Sequence, residues 1–173
     1  MRKIILLIVL ALSVVPAALA DNNGSASSPA QGCDAQLTTL GTALFNQTYG
    51  TNPNKSNAFG NCVSKLARAD EQNQANASQA CRAEQNDASF AANHSGKTFV
   101  QFYGTNKNGK NAFGNCVSQK AKAAAQVQQQ ATINAARACR AERKANPATF
   151  KNTYGTNADK SNAFGKCVSQ KVG

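Results

Sequence analysis

Large apolar side chains are sparse in this chain, and most of them recur at the same spacing in three places. Each place has a Phe followed four residues later by a Tyr, and the pairs are Phe45/Tyr49, Phe99/Tyr103 and Phe150/Tyr154. Residues four apart share one face of a helix, so each pair predicts a short helix with both rings on one side. A Gly follows every Tyr, and we expect it to end the helix in a left-handed conformation.

A second apolar stripe begins after seven polar residues. In the first copy it occupies positions i, i+3, i+4 and i+7 of a helix, and consists of Phe59, Cys62, Val63 and Leu66. Two sets of residues could cap this second helix: Asn54, Asn108 and Asp159, or three residues later Asn57, Asn111 and Asn162. Gly60 and its equivalents lower helix propensity, and close approach of a partner helix would explain them. Each place therefore predicts a short helical hairpin.

The three places are copies of one repeat. Tyr-Gly-Thr-Asn leads each time to Asn-Ala-Phe-Gly-x-Cys-Val-Ser, at spacings of 54 and 51 residues, and the copies start at Tyr49, Tyr103 and Tyr154. Spacings in this range indicate a repeat array. Upstream, Ala-Cys-Arg-Ala-Glu occurs around Cys81 and again around Cys139. Each unit thus runs from one cysteine to a second.

The cysteine pairing follows from helix length and from the repeat. Six cysteines allow 15 pairings. The segments 62–81 and 116–139 each join two cysteines, lack Gly and Pro, and are rich in helix-forming residues. As continuous helices they separate their cysteines by about 28 and 35 Å, whereas a disulfide needs Cα atoms within about 7 Å. Ten pairings remain, and the repeat selects Cys33–Cys62, Cys81–Cys116 and Cys139–Cys167.

These patterns predict an all-α fold, a tandem array of three disulfide-stapled helical hairpins joined by long helices into a rod-like chain. The stretch 93–97 should break the first helix of the second hairpin, and Asn146-Pro147 that of the third. The expected divisions are a signal peptide (1–20), a flexible leader (21–32), unit 1 (33–66), a connecting helix with unit 2 (67–120) and a connecting helix with unit 3 (121–173).

Composition explains why the disulfides matter. After residue 20, only 22 of 153 residues are Leu, Ile, Val, Phe or Tyr, which excludes one conventional core. Twelve of them occupy the recurring Phe, Tyr, Phe and Val positions, so we expect three small cores. A disulfide that closes a loop of about 30 residues contributes about 3–4 kcal/mol in the chain-entropy model.

The N-terminus has the layout of a secretory signal peptide. Two basic residues precede an uncharged run over residues 4–15, and Ala-Leu-Ala ending at Ala20 supplies a small-residue cleavage site. The run is shorter than the about 20 residues needed to span a bilayer. We expect cleavage after Ala20 and a secreted or periplasmic/cell-envelope location, where disulfides form.

Little in the sequence predicts catalysis or metal binding. His94 is the single histidine and has no equivalent in the other units, and no acidic residues recur as a pair suited to acid/base work. The polar loops carry lysines instead of the several carboxylates that a calcium loop needs. We expect a protein that is not an enzyme and has no cofactor or metal.

Positive charge predicts anion binding instead. The mature chain has a net charge of +9, and residues 101–173 contain twelve basic and two acidic residues. Each loop combines amides, lysine and the start of a helix, a combination that favours anions, although solvated turns would have the same composition. The candidate residues are Lys55, Lys107, Lys110 and Lys160 in the loops and the stripe Arg137, Arg140 and Lys144.

The repeat, in which the Cys follows the Gly by twelve positions, resembles one found in uncharacterised small secreted proteins of high-GC Gram-positive bacteria. The resemblance covers about residues 33–173 and implies an exported bacterial protein, but it implies no particular catalytic activity. The first copy departs from the pattern around Cys33.

The expected function is a structural or binding module on anionic cell-envelope or extracellular polymers. The alternative is a cationic secreted effector that acts on anionic membranes. Sequence-specific nucleic-acid binding is disfavoured, because the aromatic residues recur at inward-facing positions rather than as stacking platforms. The sequence does not predict an oligomeric state.

Overall fold

The computed structural model of this protein describes residues 28–172, and within that range it contains eight helices and no strand. The helices are α1 (Pro29–Leu40), α2 (Thr42–Tyr49), α3 (Ala58–Gln85), α4 (Phe90–Asn93), α5 (Phe99–Tyr103), α6 (Ala112–Ala145), α7 (Pro147–Tyr154) and α8 (Ala163–Val172). The predicted all-α, disulfide-stapled fold is confirmed.

The disulfide pairing selected by the repeat is also confirmed. Every bond has 6.0 Å between its two Cα atoms, and the pairs are Cys33–Cys62, Cys81–Cys116 and Cys139–Cys167. All six side chains are fully buried. Three intramolecular disulfides are typical of an oxidising, extracellular or envelope compartment.

The first helix of each unit is interrupted, once in units 1 and 3 and twice in unit 2. The predicted breaks are confirmed, because α4 ends at Asn93 and α7 begins at Pro147, where the Asn146 side chain accepts from Thr149 N. Unit 1 has a further break at Gly41, whose φ of 73° suits glycine. In unit 2, α3 already ends at Gln85, ahead of the predicted break. The long helices α3 and α6 are continuous between their cysteines, as predicted, and each belongs to two units.

The two long helices pack against each other in antiparallel directions. Cys81 near the end of α3 bonds to Cys116 near the start of α6, and Asn73 near the middle of α3 donates to Gln128 Oε1 at 3.3 Å. The buried positions along these two helices include the small residues Ala77 and Ala136, which permit close helix approach.

This packing corrects the predicted row of three separate cores. The far ends of α3 and α6 bring units 1 and 3 together, and α8 packs on α2 with Gly165 beside the Thr48 carbonyl. One cluster of sixteen buried residues includes Phe45 and Tyr49 of unit 1 and Phe150 and Phe164 of unit 3. Unit 2 has its own cluster of six buried residues at the other end of the helix pair. The structure therefore has two cores in place of three.

Of the two segments predicted at the N-terminus, the structure describes only the last part of the leader, residues 28–32. Helix α1 begins at Pro29, where Ser28 and Gln31 form a capping box, so it includes part of the segment assigned to a flexible leader. The predicted signal peptide and its cleavage site after Ala20 lie outside the described residues.

The left-handed conformation expected for the Gly after each Tyr is wrong. Gly50 has an extended conformation, with φ −73° and ψ 129°, and its N–H donates to Asn46 O. A Cβ on Gly50 would lie 2.6 Å from that same carbonyl oxygen, so space rather than φ requires glycine here. The left-handed residues lie five positions further along, at Lys55, Gly109 and Lys160.

The close helix approach expected at Gly60 is also wrong. A Cβ at Gly60 or Gly114 would have no neighbour within 4 Å outside its own helix turn. Only Gly165 of unit 3 faces another element, with Thr48 O at 3.6 Å from the position of a Cβ.

Candidate functional site

The polar loop of each unit is organised by one Asn and one Thr. In unit 1, Asn57 Oδ1 accepts from Thr51 N, and Asn57 Nδ2 donates to Thr51 Oγ1 at 2.7 Å. The same pair recurs as Asn111 with Thr105 and as Asn162 with Thr156.

Asn57 and Asn111 are the N-cap residues of α3 and α6, and Asn162 directly precedes α8, but the side chains of all three close their loops. The residues of the other candidate cap set form Asx-turns. In each turn the side-chain oxygen accepts a hydrogen bond from the backbone N–H two residues later, and the residues are Asn54, Asn108 and Asp159.

Two of the four predicted loop lysines form hydrogen bonds within their own loops. Lys55 and Lys160 have left-handed φ values of 59° and 56°. Their ammonium groups donate to the carbonyl oxygens of Gly50 and Gly155, at 3.2 and 2.9 Å. These bonds direct the two lysine side chains back towards their own loops.

The other two loop lysines have a different environment. Lys107 and Lys110 of unit 2 are exposed, and the left-handed position there is Gly109. The loops of units 1 and 3 lie at the same end of the helix pair, because α8 packs on α2. The loop of unit 2 lies at the other end of the helix pair.

The basic stripe on α6 is exposed. Arg137, Arg140 and Lys144 are all solvent-accessible, and in the part of the chain that the structure describes no carboxylate lies within ion-pair distance of them. Arg143 on the same helix lies over the Phe164 ring at 5.0 Å and is used in packing. The stripe therefore remains available to an external anion.

A recurring hydrogen-bonded triad was missed by the sequence interpretation. In unit 2, Tyr103 donates to Glu84 Oε2 at 2.8 Å, and Lys120 Nζ lies 2.7 Å from Glu84 Oε1. Unit 3 repeats this with Tyr154, Glu142 and Lys171. The signal was present in the sequence, because the Glu stands three residues after the first cysteine and the Lys four after the second.

The triads lower the pKa of their carboxyl groups. Burial opposes ionisation of Glu84, but the bonds from Lys120 and Tyr103 outweigh it and hold the pKa below its usual range. The bonds from Lys171 and Tyr154 lower the pKa of Glu142 in the same way. Both carboxylates are thus bound by internal partners. They therefore do not compete with an external anion for the other basic side chains.

An open pocket of about 540 Å³ lies where the loop of unit 1 meets α3 and the middle of α6. Its lining has two cations and no acidic side chain; the polar lining residues include Thr51, Asn61, Ser64, Lys65, Arg68 and Gln128. The sequence interpretation did not select Lys65 or Arg68. They are three residues apart on α3, a spacing that could have placed them together.

His94 has a packing role in unit 2. Its ring stacks on Phe90 with 3.8 Å between centroids, and its Nδ1 forms a hydrogen bond with Phe90 O at 2.8 Å. Among residues 28–172, no group of three or more His, Cys, Asp and Glu residues is placed to hold a metal ion. No helix in that range is long and apolar enough to cross a membrane.

Comparisons with protein-family models, with curated proteins and with solved structures find no match to this chain.

Proposed function

We propose that this protein is a secreted, basic, disulfide-stabilised binding module that attaches to anionic cell-envelope or extracellular polymers and is not an enzyme. The observation that carries the proposal is the uncompensated positive charge of the folded chain. Residues 28–172 contain seventeen Lys and Arg and seven Asp and Glu, and within that range only Lys120 and Lys171 form ion pairs.

The charge is concentrated on unit 3. Residues 137–171 contain eight basic and two acidic residues, and Glu142 is already engaged by Tyr154 and Lys171. A surface of one sign raises the local concentration of polymers of the opposite sign and weakens as salt screens it. Unit 3 with the stripe on α6 is therefore the surface that we assign to polymer binding.

The test is retention of the mature protein on immobilised poly(glycerol phosphate), with neutral dextran as the control matrix. We expect retention at about 0.05 M NaCl and release by about 0.5 M, because the Debye length shortens several-fold over this range. Retention that is equal on dextran, or absent at low salt, contradicts the proposal.

A matched pair of variants locates the surface. The variant R137Q/R140Q/K144Q removes three charges from the stripe, and K97Q/K107Q/K110Q removes three exposed charges from unit 2. We expect the first to elute at clearly lower salt than the second. Equal shifts would show that net charge, rather than the unit 3 surface, determines binding.

The membrane effector remains a second candidate because unit 2 exposes apolar side chains. Val100 and Phe102 are 47% and 45% exposed. Leakage of a dye from phosphatidylglycerol vesicles, reduced in Phe102→Ala, would support this candidate over the polymer-binding module.

A further inference from the structure

The pocket beside the loop of unit 1 contains two cationic side chains and no acidic one. Lys65 and Arg68 carry positive charge and donate without accepting, and in the described range neither pairs with a carboxylate. A pocket of about 540 Å³ has the size of a small-molecule site.

Two neutral groups of the lining are also left as donors by their internal bonds. Thr51 Oγ1 accepts from both Asn57 Nδ2 and Asn61 Nδ2, at 2.7 and 3.2 Å, which occupies both lone pairs and leaves only its O–H proton. Gln128 Oε1 accepts a hydrogen bond from Asn73 Nδ2, and the NH₂ group of Gln128 can therefore donate to a ligand. The fixed network of the loop thus orients the lining towards an acceptor.

We infer that this pocket binds a single phosphate group carried by a polyol or a sugar. Four donors of different kinds match a phosphate better than a carboxylate, because phosphate offers three or four acceptor oxygens and a carboxylate has two. The rest of the lining combines apolar surface, such as Ala69, with the polar groups of Ser64 and Gln72, and this mixture suits the carbon chain and the hydroxyls of an attached polyol. The inference rests on the proposed function, since it names the chemical group that the module recognises.

Unit 2 does not repeat the pair of cations in this lining. The position of Arg68, six residues after the second cysteine, is Lys122 in unit 2, and the position of Lys65 is Gln119. Gln128 reaches the unit 1 loop only because α6 packs antiparallel against α3. The substitution Lys122→Gln is therefore a matched control, because it removes one positive charge at the equivalent position of unit 2, outside the pocket.

The experiment is a titration of the full mature protein with inorganic phosphate, followed by ¹⁵N NMR at constant ionic strength. We expect saturable shifts centred on Thr51, Ser64 and Gln128. Arg68→Gln and Gln128→Glu should each weaken binding by about tenfold or more, because each removes or opposes a charge-assisted hydrogen bond. Lys122→Gln should change the affinity less than about twofold. Shifts without saturation, or equal effects of Arg68→Gln and Lys122→Gln, overturn the inference.

Two further measurements distinguish a free from a polymeric source of the phosphate, and they also test the pocket independently of the polymer proposal. Glycerol 3-phosphate and a short poly(glycerol phosphate) are titrated in parallel, and the tighter ligand identifies a free or a polymeric source. Polymer retention with no localised phosphate response overturns the pocket and leaves the charged surface standing. Localised phosphate binding with no retention overturns the polymer proposal and leaves the pocket standing as a phosphate site.

Discussion

The hydrogen-bond partner of the repeated tyrosine differs between units, and the residue four positions after the second cysteine changes together with it. Tyr103 bonds to Glu84 beside Lys120, whereas Tyr49 bonds to Gln36, and the position of the lysine is Leu66. Gln36 is 1% exposed, so a carboxylate there would lose its hydration. Unit 1 thus has a neutral partner and an apolar neighbour where units 2 and 3 have an ion pair at the surface.

A double-mutant cycle tests this correlation. We expect Gln36→Glu to lower the free energy of unfolding by about 2–4 kcal/mol, because it buries an unpaired charge. Leu66→Lys alone should cost about 1–3 kcal/mol through lost packing. The double variant rebuilds the ion pair, so its cost should fall short of the sum by at least about 1 kcal/mol in urea unfolding. Additive costs would show that the two positions are independent.

Tyr49 should titrate later than an ordinary tyrosine. Burial raises the pKa of Tyr49 to about 12, and the hydrogen bond to Gln36 opposes this only in part. The folded state therefore keeps a proton that the unfolded state loses above its pKa of about 10, and stability falls as pH rises from about 10 to 12.

Absorbance at 295 nm measures this ionisation directly. The last tyrosine step should lie near pH 12 in the wild-type protein and disappear in Tyr49→Phe, while the earlier steps remain. A Tyr49→Phe variant that keeps the last step would contradict the assignment.

At the scale of the helix and its loop, two glycines of one repeat motif have opposite roles. Gly50 is required because a Cβ would meet Asn46 O, whereas Gly60 faces open space. A helical glycine in open space costs stability through backbone entropy alone. The motif therefore contains one glycine required by packing and one that packing within the described structure does not require.

Alanine substitutions distinguish these roles. Gly60→Ala and Gly114→Ala should each raise the free energy of unfolding by about 0.5–1 kcal/mol. Gly50→Ala should lower it, because the carbonyl that the Cβ meets belongs to the backbone and cannot move away. Thermal unfolding of the three single variants is the measurement, and a stabilising Gly50→Ala would contradict the structure.

At the scale of the whole molecule, the disulfides support two cores of unequal size. Cys81–Cys116 staples the small core of unit 2, and the other two bonds lie in the core shared by units 1 and 3. The chain-entropy model assigns each bond about 3–4 kcal/mol. Loss of the unit 2 bond should therefore unfold one end of the molecule while the other remains folded.

Hydrogen exchange tests this difference. In Cys81→Ser/Cys116→Ser, we expect protection to be lost over residues 86–111 and kept in α1, α2 and α8. In Cys139→Ser/Cys167→Ser, protection should fall in units 1 and 3 together. A uniform loss of protection in both variants would show that the two cores unfold as one.

The sequence by itself determined the covalent and local framework of this protein. The 3.6-residue apolar stripes and the Gly- and Pro-free segments predict the helices, and the length of those helices excludes pairings such as Cys62 with Cys81. The repeat then selects the pairing that the structure has. These conclusions depend on spacing along the chain, which local geometry converts directly into distance.

Only the tertiary structure decided how the units are arranged. The antiparallel packing of α3 and α6 joins residues more than fifty positions apart, such as Asn73 and Gln128, through small and polar side chains that have no distinctive pattern. That packing merges the cores of units 1 and 3, separates unit 2, and places Gln128 beside Arg68 in the pocket. Because alanine-rich helix faces are compatible with many partners, the partner could be identified only from the folded chain.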